Sequence, residues 1–327
     1  MKIGYIGLGK MGYNMVLRLH EKGHEVLAYN RSPEPRERIE KEIGIKTLGQ
    51  FFELKKLPSP RVVWVMLPER ALDVALAEIS LVLERGDTLI DGGNSFYKNT
   101  IRRASELKKK GIHFIDAGVS GGPRGAREGA CVMVGGDKEK FKELQKLFVD
   151  ISLPGGYRFL GGHGAGHFVK MVHNGIEYGM MQAIAEGFSV LRTADLRGLD
   201  PSSKAKFTTG HGADKCGKKT RQGFDLKEIA ELYNKGSVVE SRLVGWLQNA
   251  YEKYGVDLEG VSGTVAYTGE GEWTVETAKE VGVPVPIISG AFQFRVASAK
   301  NPSYLGQVLS ALRNQFGGHG VLKQDIK

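Results

Sequence analysis

In the first half of the chain, short apolar runs alternate with segments whose apolar residues recur every three to four positions. The runs at residues 2–8, 25–30, 61–66, 88–91, 113–118 and 130–135 predict strands. The amphipathic stretches at 11–22 and 97–110 are examples of the helices predicted between them. Strand and helix in alternation build βαβ units and a mostly parallel sheet. The strand runs are continuously apolar rather than alternating, which is the pattern of a sheet covered by helices on both faces.

Near residue 161 the texture changes. Residues 164–191 carry one long helical pattern, and strand signals nearly vanish after it. Further helical patterns occupy 226–233, 241–253, 274–281, 288–298 and 304–316. The chain therefore divides into an α/β domain over residues 1–163, with a doubly wound, mostly parallel sheet, and an all-α domain over 164–327. The stretch 195–223 is polar, basic and interrupted by glycine, and reads as a surface insertion. His211, Asp214 and Cys216 lie within it, but no fourth ligand of recognisable spacing accompanies them, so a solvated loop is the better reading and no metal is expected.

The length, 327 residues, suffices for two such domains, each with its own core. A formal net charge of +9 attracts anions without naming them. The basic residues are spread along the chain with no compact basic arm and no stacking-aromatic motif, which argues against nucleic acid and leaves phosphorylated small molecules. No apolar stretch is long enough to span a bilayer, and Met1 leads straight into a glycine-interrupted apolar run rather than a signal peptide. Cys131 and Cys216 are far apart and form no CxxC pair. The expectation is a cytoplasmic protein with no membrane partner.

Two segments carry chemistry. The first is the opening MKIGYIGLGKMG, where Gly7, Gly9 and Gly12 have GxGxxG spacing. The motif follows a strand, opens a helix and is followed by a second strand, which is the context of a Rossmann dinucleotide site. Gly7 permits the tight turn, Gly9 lets the backbone approach a pyrophosphate, and Gly12 lets helix and strand pack closely. Leu8, Lys10 and Met11 complete the loop, whose helix N-terminus offers N–H groups to phosphate. The second strand ends in Asn30-Arg31-Ser32 where an NAD-selective site usually has an acid. Asn30 does not repel a 2′-phosphate, Arg31 can pair with it through a planar fork, and Ser32 adds a hydroxyl. NADP is favoured over NAD, with Met66 and Leu67 after the third strand as further cofactor contacts.

The second segment is KMVHNGIEYGMM at 170–181. At about 100° per residue, Lys170, Asn174 and Glu177 share one helix face, flanked by His173 and Tyr178. A base, an amide and an acid on one stripe are costly to bury without purpose, and the apolar continuation Met180, Met181, Ala183 and Ile184 suggests burial rather than a solvated face.

Over nearly its whole length the chain resembles the decarboxylating 6-phosphogluconate dehydrogenases. The motifs that carry the resemblance are GLGKMG with NRS, IDGGNS at 90–95, GVSGG at 118–122, the 170–181 segment and LRNQFGGH at 312–319. The resemblance implies a pentose phosphate pathway enzyme, also serving gluconate utilisation, that converts 6-phosphogluconate to ribulose 5-phosphate and carbon dioxide. It implies Lys170 as the base that takes the C3 hydroxyl proton, Glu177 as the acid that protonates C1 of the enediol, and Asn174 with His173 at the C3 oxygen and other hydroxyls. An ordinary lysine has a pKa near ~10.4, so its setting must neutralise it first.

The same resemblance implies that Asn94 contacts substrate and nicotinamide ribose, and that Ser120, Gly121 and Gly122 hold the substrate carboxylate. It places Tyr178 and Arg295 at the 6-phosphate. Arg313 and His319 match tail residues that reach a neighbouring subunit's site, which implies a homodimer or homotetramer. The chain is short for the family, as in a compact class with a reduced helical domain. It departs from the family pattern at Glu270 and Glu272, acids in the loop where neutral or basic residues help hold the phosphate, and in the insertion at 195–223. The competing readings are a related dehydrogenase of another 3-hydroxy sugar acid and an inert dinucleotide-binding module. The presence of Lys170, Asn174 and Glu177 together argues against the second.

Overall fold

The computed structural model describes residues 1–193 and 224–321. The apolar run at the start becomes β1 (Lys2–Ile6), which pairs in parallel with β2 (Glu25–Tyr29) on one side and β3 (Val62–Val65) on the other. β4 (Thr88–Asp91) and β5 (His113–Ser120) extend the parallel set. β6 (Ala130–Gly136) runs antiparallel to β5, and β7 (Ser152–Gly161) pairs in parallel with β6 at the sheet edge. The order is β2-β1-β3-β4-β5-β6-β7. It reverses direction between β1 and β3, and a crevice at such a switch point, outside the carboxyl ends of the strands, is where α/β sheets bind ligands.

Helices cover both faces: α1 (Lys10–Glu21), α2 (Pro33–Ile43), α3 (Glu69–Ile79), α4 (Tyr97–Lys109), α5 (Gly122–Glu128), α6 (Lys138–Glu143) and α7 (Gln145–Ile151). Successive strand residues point to opposite faces. Ile3 and Tyr5 therefore enter one core with Met15, Leu19 and Phe148, while Ile6 enters the other with Val63, Leu72 and Leu89. Both faces being cores is why the strand runs read as continuously apolar. The edge strand β7 escaped the sequence reading because its sequence SLPGGYRFLG carries a proline and three glycines and only its first residue is buried. Within a sheet proline is confined to edge strands, strand starts and bulges.

The 29-residue α8 (Ala165–Thr193) follows, then α9 (Leu226–Tyr233), α10 (Arg242–Tyr254), α11 (Glu270–Glu280), α12 (Pro286–Ser298) and α13 (Tyr304–Gly317). The fold is thus an α/β domain followed by a helical region. By internal packing the chain forms two units, Met1–Gly175 with Gly269–Val283, and the described residues of Ile176–Thr268 with Pro284–Lys327. The unit division falls inside α8, not at its start, and α11 joins the first unit. In the second unit Met181, Ala185 and Phe188 pack with Leu247 and Tyr251 of α10 and with Leu309 and Leu312 of α13. No described helix is long and apolar enough to cross a membrane.

Candidate active site

The three glycines of the first loop are glycine for three different reasons. Gly7 has φ +103°, and a Cβ there would lie 2.3 Å from the Met66 carbonyl oxygen. A Cβ on Gly12 would lie 1.9 Å from the Gly7 oxygen, so the helix could not reach the strand. A Cβ on Gly9 would meet nothing within 4 Å, so the chain itself leaves open space at this position. Gly9 is also the N-cap of α1, no side chain caps that end, and no acid sits in its first turn. A loop open at Gly9 and backed by an uncapped helix N-terminus fits a dinucleotide pyrophosphate. Lys10 is exposed and Met11 half-buried beside it.

Asn30 holds this loop to the end of β2. Its Oδ1 accepts from the Leu8 amide at 2.9 Å, and its Nδ2 donates to the Ser32 carbonyl at 3.2 Å. Arg31 and Ser32 are exposed, and Met66 and Leu67 are half-buried at the end of β3.

The DGGNS loop is shaped by a carboxylate that the sequence reading did not single out. Asp91 is fully buried; its Oδ1 accepts from the Gly93 amide at 3.0 Å and its Oδ2 from the Ser95 hydroxyl at 2.7 Å. A Cβ on Gly92 would strike the Trp64 indole at 2.3 Å, and one on Gly93 the Leu67 carbonyl oxygen at 2.6 Å. The loop is pressed onto β3 and leaves Asn94 exposed.

A second unanticipated carboxylate fixes the start of α8. Asp116, fully buried on β5, accepts from the Gly164 amide at 2.9 Å and the His167 amide at 3.0 Å. Those amides belong to a helix N-terminus, whose first N–H groups have no intrahelical acceptor. The only signal in the sequence was an aspartate inside an apolar strand. Further along β5, a Cβ on Gly118 would lie 2.4 Å from the Lys170 Cβ, so this glycine is what lets α8 approach.

On that helix Lys170 is buried, and its Nζ donates to Asn174 Oδ1 at 2.7 Å. His173 Nδ1 lies 3.0 Å from the same oxygen, and Ser120 Oγ lies 3.2 Å from His173 Nε2. An amide oxygen only accepts, so Nδ1 carries the proton and Nε2 accepts from the Ser120 hydroxyl. The structure thus brings together Lys170, His173, Asn174 and Ser120. Gly121 and Gly122, at φ +125° and +63°, turn the chain from Ser120 into α5.

In the second unit Tyr178 is buried and its hydroxyl donates to the Thr268 carbonyl at 3.4 Å. The Arg295 guanidinium lies 3.3 Å from the Tyr178 ring centroid. Arg295 is 2% exposed; its Nη2 reaches Met181 Sδ at 3.6 Å, and its Nε has no protein partner. Burial pushes its pKa down to about 10, with the Arg313 charge adding to the effect and Tyr178 and Glu177 opposing it, so it stays cationic at neutral pH. A buried guanidinium with an unpartnered nitrogen, beside a second cation, is set up for an anion. Glu177 is half-buried.

Arg313 sits inside α13, buried, with its charge felt by Arg295 of the same chain. His319 is exposed and packs edge-on against Phe316 of its own α13, at 6.4 Å between centroids. The acids Glu270 and Glu272 lie in the first turn of α11 rather than in a loop. Negative charge is favoured there by the helix dipole. Glu270 is buried in the first unit, and Glu272 is exposed. His211, Asp214, Cys216 and the whole of the 195–223 insertion lie outside the described residues. Among the described residues no group of three or more His, Cys, Asp or Glu is placed to hold a metal ion.

The chain is similar to known proteins over nearly its whole length. A family profile described as the NAD binding domain of 6-phosphogluconate dehydrogenase matches residues 2–157, and one described as the C-terminal domain of 6-phosphogluconate dehydrogenase matches residues 166–204. A Bacillus subtilis protein named "Putative 6-phosphogluconate dehydrogenase YqeC" is 40% identical over 99% of this chain and 100% of its own length. An NAD(+)-dependent, decarboxylating 6-phosphogluconate dehydrogenase of Haloferax volcanii is 34% identical over 99% of this chain and 100% of its own. The solved Plasmodium falciparum 6-phosphogluconate dehydrogenase superposes with a TM-score of 0.72 at 28% identity, over 93% of this chain and 66% of that one. The chain belongs to the 6-phosphogluconate dehydrogenase family of NAD(P)-dependent dehydrogenases.

Proposed function

We propose that the protein oxidises 6-phosphogluconate at C3 and releases its carboxyl carbon as carbon dioxide, giving ribulose 5-phosphate, with NADP preferred over NAD. The observation that carries the reading is the hydrogen-bonded set Lys170, Asn174, His173 and Ser120. It combines a buried amine with an amide, an imidazole and a hydroxyl, all suited to a polyhydroxy acid. A bound nicotinamide supplies the hydride acceptor. Lys170 Nζ, in its neutral form, takes the C3 hydroxyl proton, held in line by Asn174. The new carbonyl stands β to the carboxylate and accepts the electrons of the breaking C–C bond. Lys170 returns its proton to the C3 oxygen, which leaves the neutral enediol; Glu177 then protonates the carbon that becomes C1 of the product while Lys170 takes back the C3 hydroxyl proton, and the ketone forms.

Asn94 orients substrate against the nicotinamide ribose, and Ser120 with the Gly121 and Gly122 backbone holds the carboxylate until it leaves. Arg295 and Arg313 bind the 6-phosphate, with Tyr178 as the platform that keeps the Arg295 fork in place. The NADP preference is supported by the uncharged Asn30 and the exposed Arg31 beside it. A homodimer or homotetramer is supported by α12, which is apolar on nearly every side yet leaves Ile287 and Val296 exposed, as α8 leaves Ile176 and Met180. A helix apolar all round is ordinarily covered.

The test is cofactor reduction by the purified protein with 6-phosphogluconate, gluconate or a short 3-hydroxy acid as substrate. The reading expects turnover that requires the phosphate. Equal or better turnover of an unphosphorylated acid would overturn it.

A further inference from the structure

The loops after β3 and β4, which carry Met66, Leu67 and Asn94, lead into helices tied together by one buried cation. Arg103 on α4 is 2% exposed. Its Nη1 and Nη2 donate to the two carboxylate oxygens of Glu69 at 2.9 and 3.1 Å, and its Nε donates to Asp73 at 2.7 Å. Glu69 is the first residue of α3 and also accepts from Asn99 Nδ2 at 2.7 Å. Ser95, whose hydroxyl donates to Asp91, lies near enough to Glu69 to help lower the pKa of that carboxyl. Asp91 and Ser95 thus form one polar set, and Glu69, Asn99, Arg103 and Asp73 a second beside it. Asn94 is covalently inside the first, one residue before Ser95.

Taking a guanidinium and a carboxylate out of water is costly, and an apolar pair of similar volume would serve stability at least as well. What the ion pair adds is direction, because a two-point fork fixes distance and orientation together. The backbones of the two loops touch where Gly93 lies on the Leu67 carbonyl, so a shift of α4 against α3 moves Asn94 directly.

We propose that Glu69 and Arg103 are positioning residues. They set the separation of the two loops and so the place where Asn94 meets substrate and nicotinamide ribose. The inference rests on the role of Asn94 in the proposed function.

The experiment compares wild type, Arg103→Lys and Asn99→Ala by amide hydrogen exchange over residues 91–96 and by steady-state kinetics with 6-phosphogluconate. Lysine keeps the charge but cannot span both oxygens of Glu69. The expected result for Arg103→Lys is exchange in 91–96 faster by roughly tenfold, with β1 and β5 still protected. Its kcat should fall roughly 10–100-fold with KM for the cofactor little changed, as misplacement without lost binding predicts. Asn99→Ala, which removes one bond to Glu69, should show both effects in smaller measure and carries the test if Arg103→Lys does not fold. Unchanged exchange in a folded variant, or faster exchange with wild-type kcat, would overturn the proposal. A wild type inactive on 6-phosphogluconate would instead overturn the proposed function, and the exchange of residues 91–96 would still decide whether the clamp holds the loop.

Discussion

In the proposed reaction Lys170 is the residue on which the chemistry turns. It is buried, and its amine is held on the oxygen of Asn174. Lys170→Met preserves the length and apolar stem of the side chain while removing the base. The expected loss in turnover is roughly 10²–10⁴-fold, the usual worth of a positioned acid or base. Cofactor affinity, measured by fluorescence titration, should hold, because the glycine loop is untouched. Turnover near wild type would remove Lys170 from the base role. Arg31 tests the other half of the site. Arg31→Ala should cost about 1.5–3 kcal/mol of NADP affinity, the worth of a hydrogen bond to a charged group, with little change for NAD. Equal losses for both would show that Arg31 does not read a 2′-phosphate. At this scale the sequence displayed the residues whose purpose lies in a local motif. Gly7 and Gly12 are glycine because of neighbours that the motif itself supplies. Asp91 showed only as the first letter of DGGNS, and Asp116 not at all. The amides bound to Asp116 lie 48 and 51 positions away, and nothing local announces them.

Among the elements, α8 depends on how its first turn is held. Asp116→Ala would strand the Gly164 and His167 amides in the core. Two buried donors left unsatisfied should lower stability by about 2–5 kcal/mol, read from denaturant midpoints. A variant as stable as wild type would show that water or a shifted backbone replaces the carboxylate. Helices with strong periodicity were legible almost to their ends: α9 matches residues 226–233, and α4 ends one residue short of the expected 110. The elements that escaped lack a local signature. β7 breaks its pattern with Pro154, Gly155 and Gly156, and it becomes a strand only because β6 offers an edge. α11 begins four residues before the expected 274, because Glu270 and Glu272 favour a helix N-terminus that apolar periodicity does not mark.

For the whole molecule, the alternation of strand and helix in the first half and the helices after it were enough to give the architecture. Where residues distant in sequence converge was not legible. Arg295 and Arg313, 18 positions apart on α12 and α13, are both buried, and Arg295 feels the Arg313 charge of the same chain. Each chain should therefore bind phosphate with its own arginines. Mixing Lys170→Met and Arg313→Ala subunits under conditions of proven exchange should give no recovery of activity, since no hybrid site then holds both residues. Recovered activity would mean that Arg313 serves a neighbouring subunit.

The central claim is that oxidation and carbon–carbon cleavage occur in one site. The most direct measurement follows 6-phosphogluconate labelled with ¹³C at its carboxyl carbon through turnover with NADP. The account predicts labelled carbon dioxide released in step with NADPH, and unlabelled ribulose 5-phosphate as the sugar product. NADPH formed without labelled carbon dioxide, with the label kept in an oxidised acid, would contradict it.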